Sequence, residues 1–257
     1  VKTIRGGMGL GDALYVQAVA RHLVRQGQAI RAATAWPDVF RPIGIECIPF
    51  TRQGVQIVAH YSMRKGYPTG QFEDCCIQAG IRVPVELKLD WKVEDSALAE
   101  RLISHGRPIV LVQLPRNPMG RTDGFGAELL PDCSRIQSAI DALRGRALLV
   151  QVGAGRPLFR FTGIDVDLAN ETTVAQLLDV ASVSFGAIGY VSFMLPLCES
   201  LEKRALLVWS RRGLKSQTPY VRQITPAKVV HRNDLVVSVN DGADDDIDAA
   251  VESFLRS

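Results

Sequence analysis

Short apolar runs alternate with amphipathic stretches almost from end to end of this chain. The first run, Lys2–Arg5, leads through a glycine-rich turn into a stretch from about Asp12 to Arg25. There Val16, Val19, Ala20 and Leu23 recur at the spacing of a core-facing helix. Strands are expected next at Ala29–Thr34, Ile45–Phe50 and Val55–Ala59. Helices follow at Gln71–Ala79, closed by Gly80, and from about Asp95 to Ser104, closed by Gly106. The pattern then restarts. Pro108–Leu114 is an uninterrupted apolar run, as a parallel strand covered on both faces requires. Further strands are expected at Ala147–Val152, Ile164–Leu168 and Ala205–Trp209, with helices at Cys133–Leu143, Thr173–Val180 and Phe193–Leu201.

Alternating βα units of this kind predict an α/β protein with two Rossmann-like, doubly wound domains, residues 1–105 and 106–240. The remainder, 241–257, is expected to hold a C-terminal helix, Asp244–Leu255, packing back through Ile247, Val251, Phe254 and Leu255.

Composition changes this picture little. Of the 257 residues, 47% are hydrophobic and 22% charged, and the net charge of +3 suits an anionic partner without requiring one. The five cysteines (Cys47, Cys75, Cys76, Cys133, Cys198) form no C-x-x-C pair, and an odd count argues against a disulfide framework. The four histidines are scattered, so no metal site is expected. The first residues read as a strand rather than a secretion signal, and no apolar run nears the ~20 residues a membrane span needs. A cytoplasmic protein without a transmembrane segment is the expectation. Two basic clusters, Arg64-Lys65-Gly66-Tyr67 and Arg211-Arg212-Gly213-Leu214-Lys215, read as solvated loops. Their alternative role is to guide an anionic acceptor such as a phosphorylated saccharide or nucleic acid.

The chemistry concentrates in glycine turns. Residues 5–14 read Arg-Gly-Gly-Met-Gly-Leu-Gly-Asp-Ala-Leu, a turn that lets a ligand approach the backbone and the free N–H groups of the following helix. A nicotinamide-dinucleotide fingerprint fits poorly, because its last small residue is Asp12, a carboxylate that would face the pyrophosphate. Asp12 reads as the N-cap of the first helix and, in a cleft, as a general base for a hydroxyl. Gln151–Arg156 is a second glycine turn at a strand's carboxyl end, making Gly153 and Arg156 candidates for ligand contact.

Arg5–Leu14, followed by a helix and a strand, resembles the opening of the family 9 (heptosyltransferase-like) glycosyltransferases, which carry Leu-Gly-Asp in a glycine-rich loop. Leu10-Gly11-Asp12 matches that motif residue for residue. Gly70–Ile81 is similar to the family's helix ending in Gly-Leu or Gly-Ile, and Asn170–Ser210 follows its C-terminal order of elements. The resemblance implies a GT-B fold and sugar transfer from a nucleotide-sugar donor to an acceptor hydroxyl, with Asp12 as catalytic base. Gly7, Gly9, Leu10 and Gly11 would form the acceptor-side loop, and no cofactor would be required. Arg116 and Arg121, in the loop after Pro108–Leu114, would balance the donor diphosphate.

The family's donor motif, Gly-Asn-Asp-Ser-Gly-Pro-Met-His, aligns with Gly189-Tyr190-Val191-Ser192-Phe193-Met194-Leu195-Pro196. Gly189 and Ser192 match; the aspartate, second glycine and histidine do not. Either the donor is held differently, or the protein binds nucleotides or sugars without the reaction. A nicotinamide-dependent oxidoreductase is the third reading. Glu199, two turns beyond Ser192, is a candidate for the donor ribose, its alternative being a solvated helix face.

Overall fold

In the computed structural model, residues 1–62, 70–94, 96–116, 126–242 and 245–256 are described. The first half holds β1 (Lys2–Arg5), α1 (Leu10–Arg25), β2 (Ile30–Thr34), a 3-10 helix at Pro37–Ile43, β3 (Cys47–Pro49), β4 (Ile57–Val58), α2 (Gln71–Gln78) and α3 (Ser96–Ile103). The second half opens with β5 (Ile109–Gln113), α4 (Cys133–Leu143), β6 (Leu148–Val152), β7 (Val166–Asp167), α5 (Val174–Val183), β8 (Gly186–Gly189), α6 (Met194–Ser200) and β9 (Arg204–Trp209). The short helices α7 (Arg211–Leu214), α8 (Pro219–Arg222) and α9 (Pro226–Val229), then β10 (Val236–Asn240) and α10 (Ile247–Leu255), complete it.

Two parallel sheets result. The first has the order β3-β2-β1-β4 and the second β10-β9-β8-β5-β6-β7. Counting the second sheet's strands in chain order gives 3-2-1-4-5-6, the order of a doubly wound dinucleotide fold. The chain reverses direction across each sheet beside its first strand, between β1 and β4 and between β5 and β8. In open sheets of this kind ligands bind outside the carboxyl ends of the strands at such switch points.

The expected strands and helices correspond to these elements, with differences at their ends. The edge strands β3 and β4 are shorter than their apolar runs, because they pair on one side only. Strand β10 has no counterpart among the expected strands, although Val236, Val237 and Val239 followed by an Asn-Asp-Gly turn carry the signal. The last helix starts at Ile247, with the Asp246 carboxylate accepting from the Ala249 N–H at 2.9 Å; Asp244 lies outside the described residues. Ile247, Val251 and Phe254 are buried against α4 and the second sheet, and Phe254 meets Phe185 edge to face at 5.4 Å.

Helix α1 departs most from expectation. A single stripe was predicted, yet eleven of its sixteen residues are buried. It lies on the first sheet with one side and against α6 of the second half with another, and a helix covered all round buries nearly everything it carries. One polar member, Arg21, is only 4% exposed and donates to Asp90 at 2.9 Å and to Glu86 at 3.1 Å. Both partners belong to the stretch between α2 and α3. That stretch is held on its other side by α5 and α6. The Trp91 indole donates to Asp179 at 2.7 Å, and the Leu89 N–H donates to the Ser200 carbonyl at 2.7 Å. The halves are thereby tied with their carboxyl edges adjacent.

Candidate active site

Strand β1 delivers the first glycine turn to its carboxyl edge. Gly9 is extended (φ −75°, ψ 155°) and is itself the N-cap, so Asp12 is the third helical residue rather than the cap. Its carboxylate reaches back to accept from the Gly9 N–H at 3.0 Å, satisfying one of the helix's free donors. This corrects the N-cap reading and keeps its physics: an acid in the first turn, favoured by the helix dipole. The glycines serve this arrangement. A Cβ on Gly7 would lie 2.2 Å from Asp12 Oδ2, and one on Gly11 would lie 3.1 Å from Pro196 Cγ and 3.3 Å from Phe193 Cα. The start of α1 is thus pressed against the start of α6, which brings Asp12 to the carboxyl edge of the second sheet.

Three tyrosines lie close enough to Asp12 to feel its charge. Tyr61 follows β4, Tyr15 projects from α1, and Tyr220 arrives from α8 in the second half; Tyr61 and Tyr220 are hydrogen-bonded to each other. Burial pushes the acidity constants of all three upward, reinforced at Tyr15 chiefly by the charge of Glu199 and at Tyr61 and Tyr220 by that of Asp12, so all three stay neutral. Tyr15 also touches Gln71 at 3.4 Å and His231 at 3.5 Å. None of these aromatic residues stood out in the sequence, because they come from three separate elements.

At the second switch point, Gln113 ends β5 and is 2% exposed. Its Oε1 accepts from the Tyr190 N–H at 3.3 Å, and its Nε2 donates to Ser192 Oγ. The Tyr190 ring is fully buried beneath the loop after β5. Its hydroxyl accepts from the Arg116 N–H at 2.9 Å and faces two carbonyls that can take its hydrogen, Arg116 at 2.9 Å and Leu114 at 3.0 Å. Arg116 is held there, its guanidinium over Gly155 and donating to the Ala154 carbonyl. Gly153 has φ 128°, a backbone region open to glycine, and Asn170 accepts from the Gly155 N–H at 2.6 Å. Arg156 is exposed at the tip of this turn. Gly153, Arg116, Gly189 and Ser192 therefore share one edge, while Arg121 lies outside the described residues, as do residues 64–67.

Gly189 admits no side chain, since a Cβ would meet Gln113 Oε1 at 2.4 Å. Gly189→Ala is expected to displace Gln113 and lower stability by about 1–3 kcal/mol, read as a fall in the urea midpoint.

Glu199 is not on a solvated face. It is 0% exposed and accepts from the His231 N–H at 2.6 Å and the Arg232 N–H at 2.9 Å, anchoring the segment that returns to the first half. So placed, it is not offered to a ribose. A hollow of about 310 Å³, bordered by Lys2, His22, Gln26 and Arg82, lies at the opposite, amino edge of the first sheet. Among the described residues no three His, Cys, Asp or Glu are grouped to share a metal ion, and no helix is long and apolar enough to cross a membrane.

No family profile matches the sequence, and no curated protein matches it in sequence. The fold, by contrast, is that of solved glycosyltransferases. It is similar to the ADP-heptose LPS heptosyltransferase II of E. coli, with a TM-score of 0.62 and 13% identity over 93% of this chain and 90% of that one. It is similar also to the glycosyl transferase family 9 protein of Veillonella parvula, with a TM-score of 0.58 and 9% identity over 93% of this chain and 85% of that one. A third likeness is to TibC, the iron-containing dodecameric glycosyltransferase of enterotoxigenic E. coli. Its TM-score is 0.53 at 13% identity, over 80% of this chain and 57% of TibC. TibC, a heptosyltransferase, has also been solved with ADP-D-β-D-heptose. The chain spans little more than half of TibC's length, and at these identities the likeness is one of fold.

Proposed function

We propose that this protein transfers a sugar from a nucleotide-sugar donor to an acceptor hydroxyl, with Asp12 as general base. The observation that carries this reading is the meeting of the two switch points. Gly11 packs on Phe193 and Pro196, so that a carboxylate from the first sheet stands beside the carboxyl edge of the second. In this reading residues 1–105 form the acceptor-side domain and 106–240 the donor-side domain of a GT-B enzyme, closed by 241–257. The acceptor sits at Gly7, Gly9, Leu10 and Gly11, and Asp12 removes its proton as the oxygen attacks the anomeric carbon.

The leaving diphosphate is stabilised from the other side by Arg116, by Ser192 and by the glycine turn at Gly153, with Arg156 and Arg121 as further cations. Donors fixed in place before the reaction are worth more than mobile ones. No cofactor takes part, the family resemblance implies inversion at the anomeric carbon, and a cytoplasmic location belongs to the same reading. The solved relatives make ADP-heptose the first donor to try.

A thermal-shift screen against ADP-, UDP-, GDP-, CMP- and dTDP-sugars, with NADH alongside, tests this. A ligand that binds only the folded state raises Tm by mass action, equivalent to about 2.7 kcal/mol at a hundredfold excess over Kd. One sugar nucleotide is expected to shift Tm. A shift with NADH alone would revive the dinucleotide reading. The substitutions Val191, Phe193 and Pro196 favour a second reading, a binding protein of the same fold without turnover. Donor binding without product formation for any acceptor would select it.

A further inference from the structure

Hydrogen positions at the second switch point follow from its donors alone. The Tyr190 N–H can only donate, and it faces Gln113 Oε1 at 3.3 Å. That sets the orientation of the amide, carbonyl toward Tyr190 and NH₂ toward Ser192. The NH₂ group, also only a donor, points at Ser192 Oγ, and so does the Met194 N–H at 3.3 Å. A serine oxygen has two acceptor sites and one hydrogen. With both acceptor sites taken, the hydrogen must go to another group. Gln113 and Tyr190 are buried, whereas Ser192 is half-buried, at the edge where α1 meets α6. Val191 beside it brings no side-chain acceptor to compete for that hydrogen.

We infer that Gln113 is a positioning residue for the donor: it commits the Ser192 hydroxyl to donating outward, to an anionic oxygen of the diphosphate. This rests on the proposed function and adds to it a residue that touches no substrate. It also gives Gly189 a reason, since any side chain there would drive Gln113 from its place. The arrangement supplies a fixed donor where the aspartate and histidine of the resembling motif are missing.

The test is calorimetric titration of the full chain with pyrophosphate and with ADP, UDP and GDP, comparing wild type, Gln113→Leu, Ser192→Ala and the double variant. A hydrogen bond to a charged oxygen corresponds to about a tenfold change in Kd or somewhat more. Each single variant is expected to bind about tenfold more weakly, and the double variant no more weakly than either alone, because Gln113 acts only through Ser192. Gln113→Glu keeps an acceptor for the Tyr190 N–H and so guards against a folding defect. Its second oxygen would capture the Ser192 hydrogen, and binding is expected to weaken at least as much. Additive losses in the double variant, or unchanged binding by Gln113→Leu and Gln113→Glu, overturn the inference while leaving the donor site intact. Folded wild type that binds none of the four probes overturns the inference, and the absence of a Tm shift with every sugar nucleotide overturns the function it rests on as well.

Discussion

Asp12→Asn is expected to slow sugar transfer by about 10²–10⁴-fold, the share that a positioned general base contributes, while donor binding is unchanged. The substitution isolates the chemistry because asparagine keeps an oxygen where Asp12 Oδ2 accepts from the Gly9 N–H at 3.0 Å. The start of α1 stays capped, and only the favourable charge at the helix start is lost, about 0.3–1 kcal/mol. The measurement is kcat at saturating donor and acceptor beside a titration of the donor alone. A kcat within threefold of wild type would remove Asp12 from the mechanism. A loss of donor affinity equal to the loss of rate would instead make it a structural residue of the cleft.

Glu199→Ala is expected to lower stability by about 2–5 kcal/mol, because it empties a fully buried site and strips two partly buried main-chain donors of one shared acceptor. A fall in the urea midpoint without change of slope would show this. The same residue shapes the dependence on pH. Burial raises the Glu199 carboxyl from an ordinary 4.5 to about 7, outweighing the two amides and Arg232, which pull it down. Between these values the folded state holds a proton that the unfolded chain has released. The stability this gives is fully present below 4.5 and is lost as pH climbs through 7, by about 3 kcal/mol in all.

His231, two-sided between Tyr15 and Phe72, does the reverse. Burial lowers its imidazole from 6.5 to about 4, so stability rises with pH across that window as the unfolded chain gives up its extra proton. The two slopes oppose each other between about 4.5 and 6.5, leaving the wild type nearly flat there as far as this pair decides. Glu199→Gln keeps an acceptor for both amides and should uncover a rise with pH, and His231→Gln a fall. Parallel profiles for both variants would overturn this account.

The succession of strands and helices was legible in the chain because each depends on local periodicity and local stops. Buried parallel strands such as β5 announce themselves by unbroken apolar runs, and helices by caps and glycine exits. Strand β8 was harder: Gly-Ala-Ile-Gly has weak strand propensity, and its last glycine is explained only by Gln113 on the neighbouring strand. The same divide runs through the site. Gly153, Arg116 and Ser192 lie in loops whose composition marks them, and Asp12 lies in the first turn of the helix that leaves such a loop. Gln113, Tyr61, Tyr220 and Tyr190 acquire their places only through contacts between residues tens to hundreds of positions apart.

Glu199 shows the limit most plainly. By spacing alone it reads as a solvated or ligand-facing acid, and only the return of residues 231–232 puts it inside. What the sequence determined by itself was the α/β alternation, the glycine turns and a carboxylate at the start of α1. The tertiary structure decided which carboxyl edges meet, which polar groups are buried and which hydrogen is left free to donate, because burial and pairing belong to groups brought together in space.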